Sequence, residues 1–246
     1  MMKIFQIDNG KVPNAPFNFM EYQWISSLPA ETSCGNLALK GMKLITRLDE
    51  ANRRLDESYR YWSKAKSQDV QILAVERPFE RHVFASEQAI YLMRTAADEV
   101  IAMLWYLNEY ESTGTFSDGI EIDSIGPLLK MLEKKDRIWK LRGLLEKHAE
   151  MLNVLNKVSN ALKHSFVQSD ITFMGADEPI VFALASGRNS IRAGTSLHRV
   201  RLSKLVDDFS HFYRESIGWI EEYGIRHRAT PVKIREFKQV DKIIDY

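Results

Sequence analysis

The residues of this chain whose types and spacing are best suited to chemistry lie between Asn153 and His164, at the end of a predicted long helix. At about 100° per residue, Asn153, Asn156, Asn160, Lys163 and His164 form a polar stripe beside an apolar one made by Leu145, Leu152, Leu155 and Leu162. One helical turn thus offers a titratable imidazole, a cation and the Asn160 amide to a phosphate or a ribose. The same residues also have a structural use. Lysine and histidine near a helix C-terminus satisfy the last carbonyls and the dipole, and asparagines on an interior helix can bond to a neighbouring sheet or a twofold-related helix. Three asparagines on one helix nevertheless cost helical propensity that packing alone does not require. Asn153, Asn156, Asn160, Lys163 and His164 are therefore the candidate binding residues. His164 is the candidate proton-transfer group, and no catalytic set is complete.

Within this turn, Ser159-Asn160-Ala161-Leu162-Lys163-His164 resembles the motif of the HEPN superfamily. These are compact helical-bundle proteins found in bacterial toxin–antitoxin, antiphage and RNA-processing systems. Active members carry an arginine, usually followed at once by a polar residue, and then a histidine after a short gap near the end of a long helix. Asn160 matches the polar position and His164 the histidine, while Ser159 stands at the arginine position. For active members the resemblance implies a metal-independent ribonuclease in which the histidine moves protons and the arginine stabilises the phosphate. Without the guanidinium, Lys163 supplies charge but not a planar bidentate fork. The expectation is a non-catalytic, HEPN-like module that binds a protein or RNA partner through the Asn160–His164 turn. The alternative is a metal-independent ribonuclease of toxin or antiphage type using His164, with an arginine delivered by Arg142, Arg188, Arg192 or a second subunit.

Other constellations fail on spacing. A helical dimetal site needs paired Glu-x-x-His motifs, and none of the six histidines has a glutamate at that offset. Glu146 and His148 face different directions, and His198, His211 and His227 stand isolated. Arg77 and His82 have the arginine-to-histidine spacing, but Pro78 lies between them. Asp98 and Glu99 read as one solvated group and one at a helix interface. No phosphate-binding loop or Gly-x-Ser-x-Gly motif occurs. The clusters Tyr59, Tyr61, Trp62 and Trp105, Tyr106, Tyr110 have the spacing of a helical core, with a base-stacking surface as the alternative. No cofactor and no metal are expected.

With 34 Lys plus Arg against 33 Asp plus Glu, the net charge is +1, so no global field favours nucleic acid or anionic lipid, and no DNA partner is predicted. Cys34 is the only cysteine, which excludes an intramolecular disulfide. Residues 1–8 lack the apolar run of a signal peptide, and Val100–Leu107 is far shorter than the roughly 20 residues of a membrane helix. A cytoplasmic protein without a membrane partner is the expectation.

The elements that must position the turn read as a mainly α bundle of long helices, with a small antiparallel β-meander inserted before the last long helix. Residues 1–31, with Pro13, Pro16 and Pro29, read as a short strand and an extended arm. Residues 32–224 form the bundle, with the β insertion at about 171–201, and 225–246 form a basic tail. Within the bundle, Thr32 or Ser33 caps a helix reaching about Lys66, and Pro78 precedes a second helix from about Phe79 to Tyr110 that buries Phe84, Tyr91 and Leu92. Asp123 or Ser124 caps a short helix, and a helix from about Arg137 to Ser165 carries the stripe. Strands fall at 171–174, 180–185 and 190–201, and Ser203 caps a helix ending near Gly224. Long amphipathic helices with few partners, and a sheet too small to guard its edges, predict a homodimer.

Overall fold

A computed structural model of the chain describes residues 3–8, 22–66, 77–134, 141–164, 176–186 and 194–227. The elements are α1 (Gln23–Ser26), α2 (Leu37–Ala65), α3 (Pro78–Thr113), α4 (Ile125–Glu133), α5 (Arg142–Lys147), α6 (Ala149–His164), β1 (Ile180–Ser186), β2 (Thr195–Arg201) and α7 (Leu202–His227). The architecture is mainly α, with one antiparallel hairpin before the last long helix. No helix among the described residues is long and apolar enough to cross a membrane.

The long hairpin of α2 and α3 is the frame. On α2 the buried positions Leu37, Leu44, Leu48, Ala51, Leu55, Ser58 and Trp62 follow a spacing of three, four and seven, which keeps them on one stripe. The buried side of α3 includes a run of small residues, Ala85, Ser86, Ala89, Ala96 and Ala97, beside the larger Met93 and Val100, and the small ones let the two backbones run close together. Contacts from Ser58 to His82 and from Arg47 to Glu99 fix the pair as antiparallel. Hydrophobicity alone assigns Phe84, Tyr91 and Leu92 to the core, yet Phe84 and Tyr91 are 59% and 49% exposed and Leu92 is half-buried, because the side of α3 carrying the alanines turns inward instead.

The caps differ in detail from their sequence reading. Asn36, rather than Thr32 or Ser33, caps α2 by accepting from the Leu39 N–H at 3.0 Å. Thr32 is used one turn earlier, where its hydroxyl donates to the Gly35 carbonyl and accepts from the Cys34 N–H. Pro78 opens α3, where a missing N–H costs nothing. At α4 neither Asp123 nor Ser124 caps the first turn; Asp98 reaches across from α3 and accepts from the Ile125 N–H at 2.9 Å. Burial raises the Asp98 carboxyl, opposed by that N–H and by Arg94. Its neighbour Glu99 takes a two-point contact from Arg47.

The helix expected from Arg137 to Ser165 breaks at His148, which separates α5 from α6. β1 and β2 pair in antiparallel register from Ile180 with Arg201 to Ser186 with Thr195. The strand read at 171–174 and the tail from residue 228 lie outside the described residues. At the start of α7, Ser203 does not act as a cap; its hydroxyl donates to Glu178, while Leu202 N–H bonds to the Pro179 carbonyl. Gly224 does not end α7, which continues to His227. A Cβ there would come within 2.0 Å of Ser27 Oγ, so the glycine serves close packing against the turn after α1. Residues 3–8 form no strand; Asn52 brackets Ile7, accepting from its N–H at 2.7 Å and donating to its carbonyl at 3.0 Å.

Candidate functional site

Helix α6 packs against α3, α4, α7 and β1, and it buries Met151, Leu152, Leu155, Val158 and Ala161. The polar stripe is consequently turned outward. Asn153 and Asn156 are half-buried, Asn160 and Lys163 are exposed, and the Asn160 amide donates to the Asn156 oxygen at 3.3 Å. His164 is the last residue of the helix, and its side chain lies outside what the structure describes. The stripe therefore brings amides and a cation to one surface.

Ser159 has the opposite orientation. It is 5% exposed and shares the inward side of α6 with Leu152 and Leu155. A side chain at this position points into the core, where an arginine would meet apolar neighbours rather than a phosphate. Among the arginines considered as replacements, Arg142 bonds its own helix neighbour Glu146 at 2.7 Å, and Arg188 and Arg192 lie outside the described residues.

The aromatic clusters are mostly core. Tyr59, Trp62, Trp105 and Tyr106 are buried and supply no stacking surface, while Tyr61 and Tyr110 are half-buried, Tyr61 accepting from Arg81 at 2.8 Å and Tyr110 stacked on Phe116. His82, at 2% exposure, sits against Trp62 with ring centroids 5.1 Å apart. Its Nδ1 lies 3.0 Å from Ser58 Oγ and 3.1 Å from the Ser58 carbonyl, and Ser58 Oγ is 2.8 Å from Ser86 Oγ. Burial pushes the imidazole down to about 4, opposed by the Ser58 carbonyl. A serine–histidine pair so enclosed has no route to a substrate and serves to join α2 to α3.

A second constellation was not visible in the sequence. His148, at 7% exposure, places Nε2 3.0 Å from Glu215 Oε2, and its ring stands edge-on to Phe212 at 5.6 Å. Lys147 also bonds Glu215, and the two donors together hold that carboxyl below the usual range. Lys147 and His148 line a cleft of about 540 Å³ between the start of α6, β2 and α7. Met151, Val154, Val200 and Leu205 give the cleft apolar surface, and its charged residues include Arg199, Arg201, Lys204, Glu150 and Asp208. His211, read as isolated, also lines it, with Arg214 3.2 Å from its Nδ1. His227 is not isolated either, since it lies 3.3 Å from the buried Glu111, which also pairs with Arg226. Among the described residues no group of three or more His, Cys, Asp or Glu could hold a metal ion.

Fold and site define a mainly helical chain with a partly exposed amide row on α6 and a separate charged cleft. Comparison with protein-family models, curated proteins and solved structures found no match.

Proposed function

We propose that the chain is a non-catalytic, HEPN-like helical module that docks a protein partner through the outward face of α6 ending at the Asn160–His164 turn. The observation that carries this reading is the division of α6, with Asn156, Asn160 and Lys163 turned outward and Ser159 turned inward. The turn offers hydrogen-bonding amides, while the position at which active relatives carry their phosphate-fixing arginine is committed to packing. A protein is favoured over RNA because the net charge is only +1 and four of the six aromatic rings of the helical clusters, Tyr59, Trp62, Trp105 and Tyr106, are buried. RNA binding draws on concentrated positive charge and on stacking platforms. The same proposal takes the protein to be a cytoplasmic homodimer, in keeping with a single free cysteine and with Phe84 and Tyr91 exposed seven residues apart on α3.

A photo-crosslinking amino acid at Asn160, with Lys130 on α4 as the control position, tests the docking face in cells. A protein adduct formed from position 160 and absent from position 130 is expected. A nucleic-acid adduct would favour RNA, and no adduct distinct from the control would overturn the docking face. The wild type is expected to leave RNA intact in EDTA. Cleavage that survives EDTA and vanishes in His164→Ala would establish the ribonuclease alternative.

A further inference from the structure

The cleft between α6, β2 and α7 is separate from the amide row, since Val154 lines it and Asn156, two residues on, points about 160° away on the same helix. Its border on the sheet is informative. Arg199, Val200 and Arg201 all line it, although successive side chains of a strand point to opposite faces. Three consecutive residues border one cavity where that cavity meets the strand along its edge. The edge concerned is the second one of β2, because the first is taken by β1 in the register from Ile180 with Arg201 to Ser186 with Thr195. Among the described residues no other strand joins this sheet. The cleft of about 540 Å³ thus lies beside backbone N–H and C=O groups that point away from β1, the arrangement to which an extended peptide adds as a strand.

The two faces of β2 differ, and the difference defines what an added strand must carry. Val200 lies on the face turned towards the helices, where it packs against the core beside its partner Val181. Met151, Val154 and Leu205 extend that apolar surface across the cleft. Arg199 and Arg201 lie on the opposite, exposed face. From residue 179 to 206 the sequence holds four arginines and a lysine and no aspartate or glutamate, so the hairpin is locally basic in a chain of net charge +1. Arg201, 67% exposed, reaches Glu178 only at 3.7 Å, an ion pair of the kind that contributes little. Glu178 keeps its bond from Ser203 if the arginine turns to another carboxylate. On an added strand, the residue directly across from Arg201 has its Cβ about 5 Å away, which brings a carboxylate on that face within reach. Its neighbours along the strand point the other way, towards Val200 and the helices. A second copy of β2 is disfavoured as the occupant, since two such edges would set arginine against arginine.

We propose that the β2 edge and the cleft beside it take up an extended peptide of a partner protein in which acidic and apolar residues alternate. The peptide adds as a third strand, its carboxylates over Arg201 and Arg199 and its apolar side chains on Val200, Met151, Val154 and Leu205. Backbone hydrogen bonds to β2 supply affinity, and the alternation supplies selectivity.

Fluorescence anisotropy on the full chain tests this with a labelled, end-capped seven-residue peptide of alternating glutamate and valine as the probe. It is expected to bind about tenfold or more tightly than the same residues arranged as a glutamate block and a valine block, and than a peptide with lysine for glutamate. N-methylation of one alternate set of its residues, the set whose N–H groups face β2, should abolish binding, and N-methylation of the other set should spare it. Arg201→Glu should weaken the glutamate peptide and reverse the preference in favour of the lysine peptide, and Val154→Asp should weaken binding by removing apolar surface. The peptide series on the wild type reads the proposal whether or not either variant folds. Equal binding of the block or lysine peptide, binding that survives N-methylation of either set, or no binding at millimolar peptide would each overturn it. None of these outcomes bears on docking at the α6 amide row, which is read by crosslinking at Asn160.

Discussion

Acidification should destabilise this protein through one imidazole, and the size of the effect follows from where His82 sits. An unfolded chain takes up a proton on this histidine at its ordinary 6.5, whereas the folded protein holds it neutral down to about 4 because the ring is buried beside Trp62, an effect the Ser58 carbonyl opposes without cancelling. Between those values the unfolded state binds more protons, so stability falls as the pH drops from 6.5 towards 4 and loses nothing further on this account below it. At about 1.4 kcal/mol for each decade, the loss is about 3 kcal/mol. Replacing the histidine by phenylalanine removes the titration and keeps a ring against Trp62, while Ser58 and Ser86 retain their mutual contact at 2.8 Å. At pH 7 the variant should be less stable by about 1–2 kcal/mol for the lost hydrogen bonds. By pH 4 it should equal or exceed the wild type. Urea denaturation followed by helical circular dichroism, at several pH values for both proteins, measures the difference and cancels the carboxylates common to them. Parallel stability curves, or an imidazole resonance of His82 titrating near 6.5 by NMR, would refute the reasoning.

Three further outcomes are expected. Gly224→Ala gains up to about 1 kcal/mol of helix propensity but drives a methyl into Ser27, so a net loss of about 1–3 kcal/mol should appear in thermal melts, partly restored by Ser27→Gly. Ser159→Arg should cost several kcal/mol by forcing a guanidinium among Leu152 and Leu155, and RNA incubated with the variant in EDTA should remain uncut. Light scattering after size exclusion should give about twice 28.5 kDa at micromolar concentration, and a monomer across dilutions would remove the homodimer from the proposal.

What was legible in the sequence is what local chemistry determines. The long helices, the antiparallel hairpin and the outward turn of Asn156, Asn160 and Lys163 all follow from periodicity, since a residue's angle around a helix is set by its position alone. What was not legible depends on partners distant in the chain. Phe84 and Tyr91 are apolar yet face outward because α2 needs the alanine side of α3 for close approach. Asp98 caps a helix that begins 27 residues later. His148 gains its significance from Glu215, 67 residues away, and no spacing rule connects them. Gly224 carried the usual sign of a helix end, but close contact with Ser27 uses the absence of a side chain in another way.

The clasp of Asn52 on Ile7 has a consequence for the order of assembly. The segment 3–8 touches two helices at once, since the Asp8 N–H also bonds Ser210 on α7 at 3.2 Å. The two contacts span 45 and 202 residues of chain. Closing a loop of the second length costs entropy that only a nearly complete bundle can offset. Residues 3–8 should therefore be the last piece to dock and the first to leave, a latch laid across α2 and α7 after both are in place. In pulse-labelling hydrogen exchange, the Ile7 and Asp8 amides would gain protection after the α2 and α3 backbones, and in native-state exchange they would open at a fraction of the global free energy.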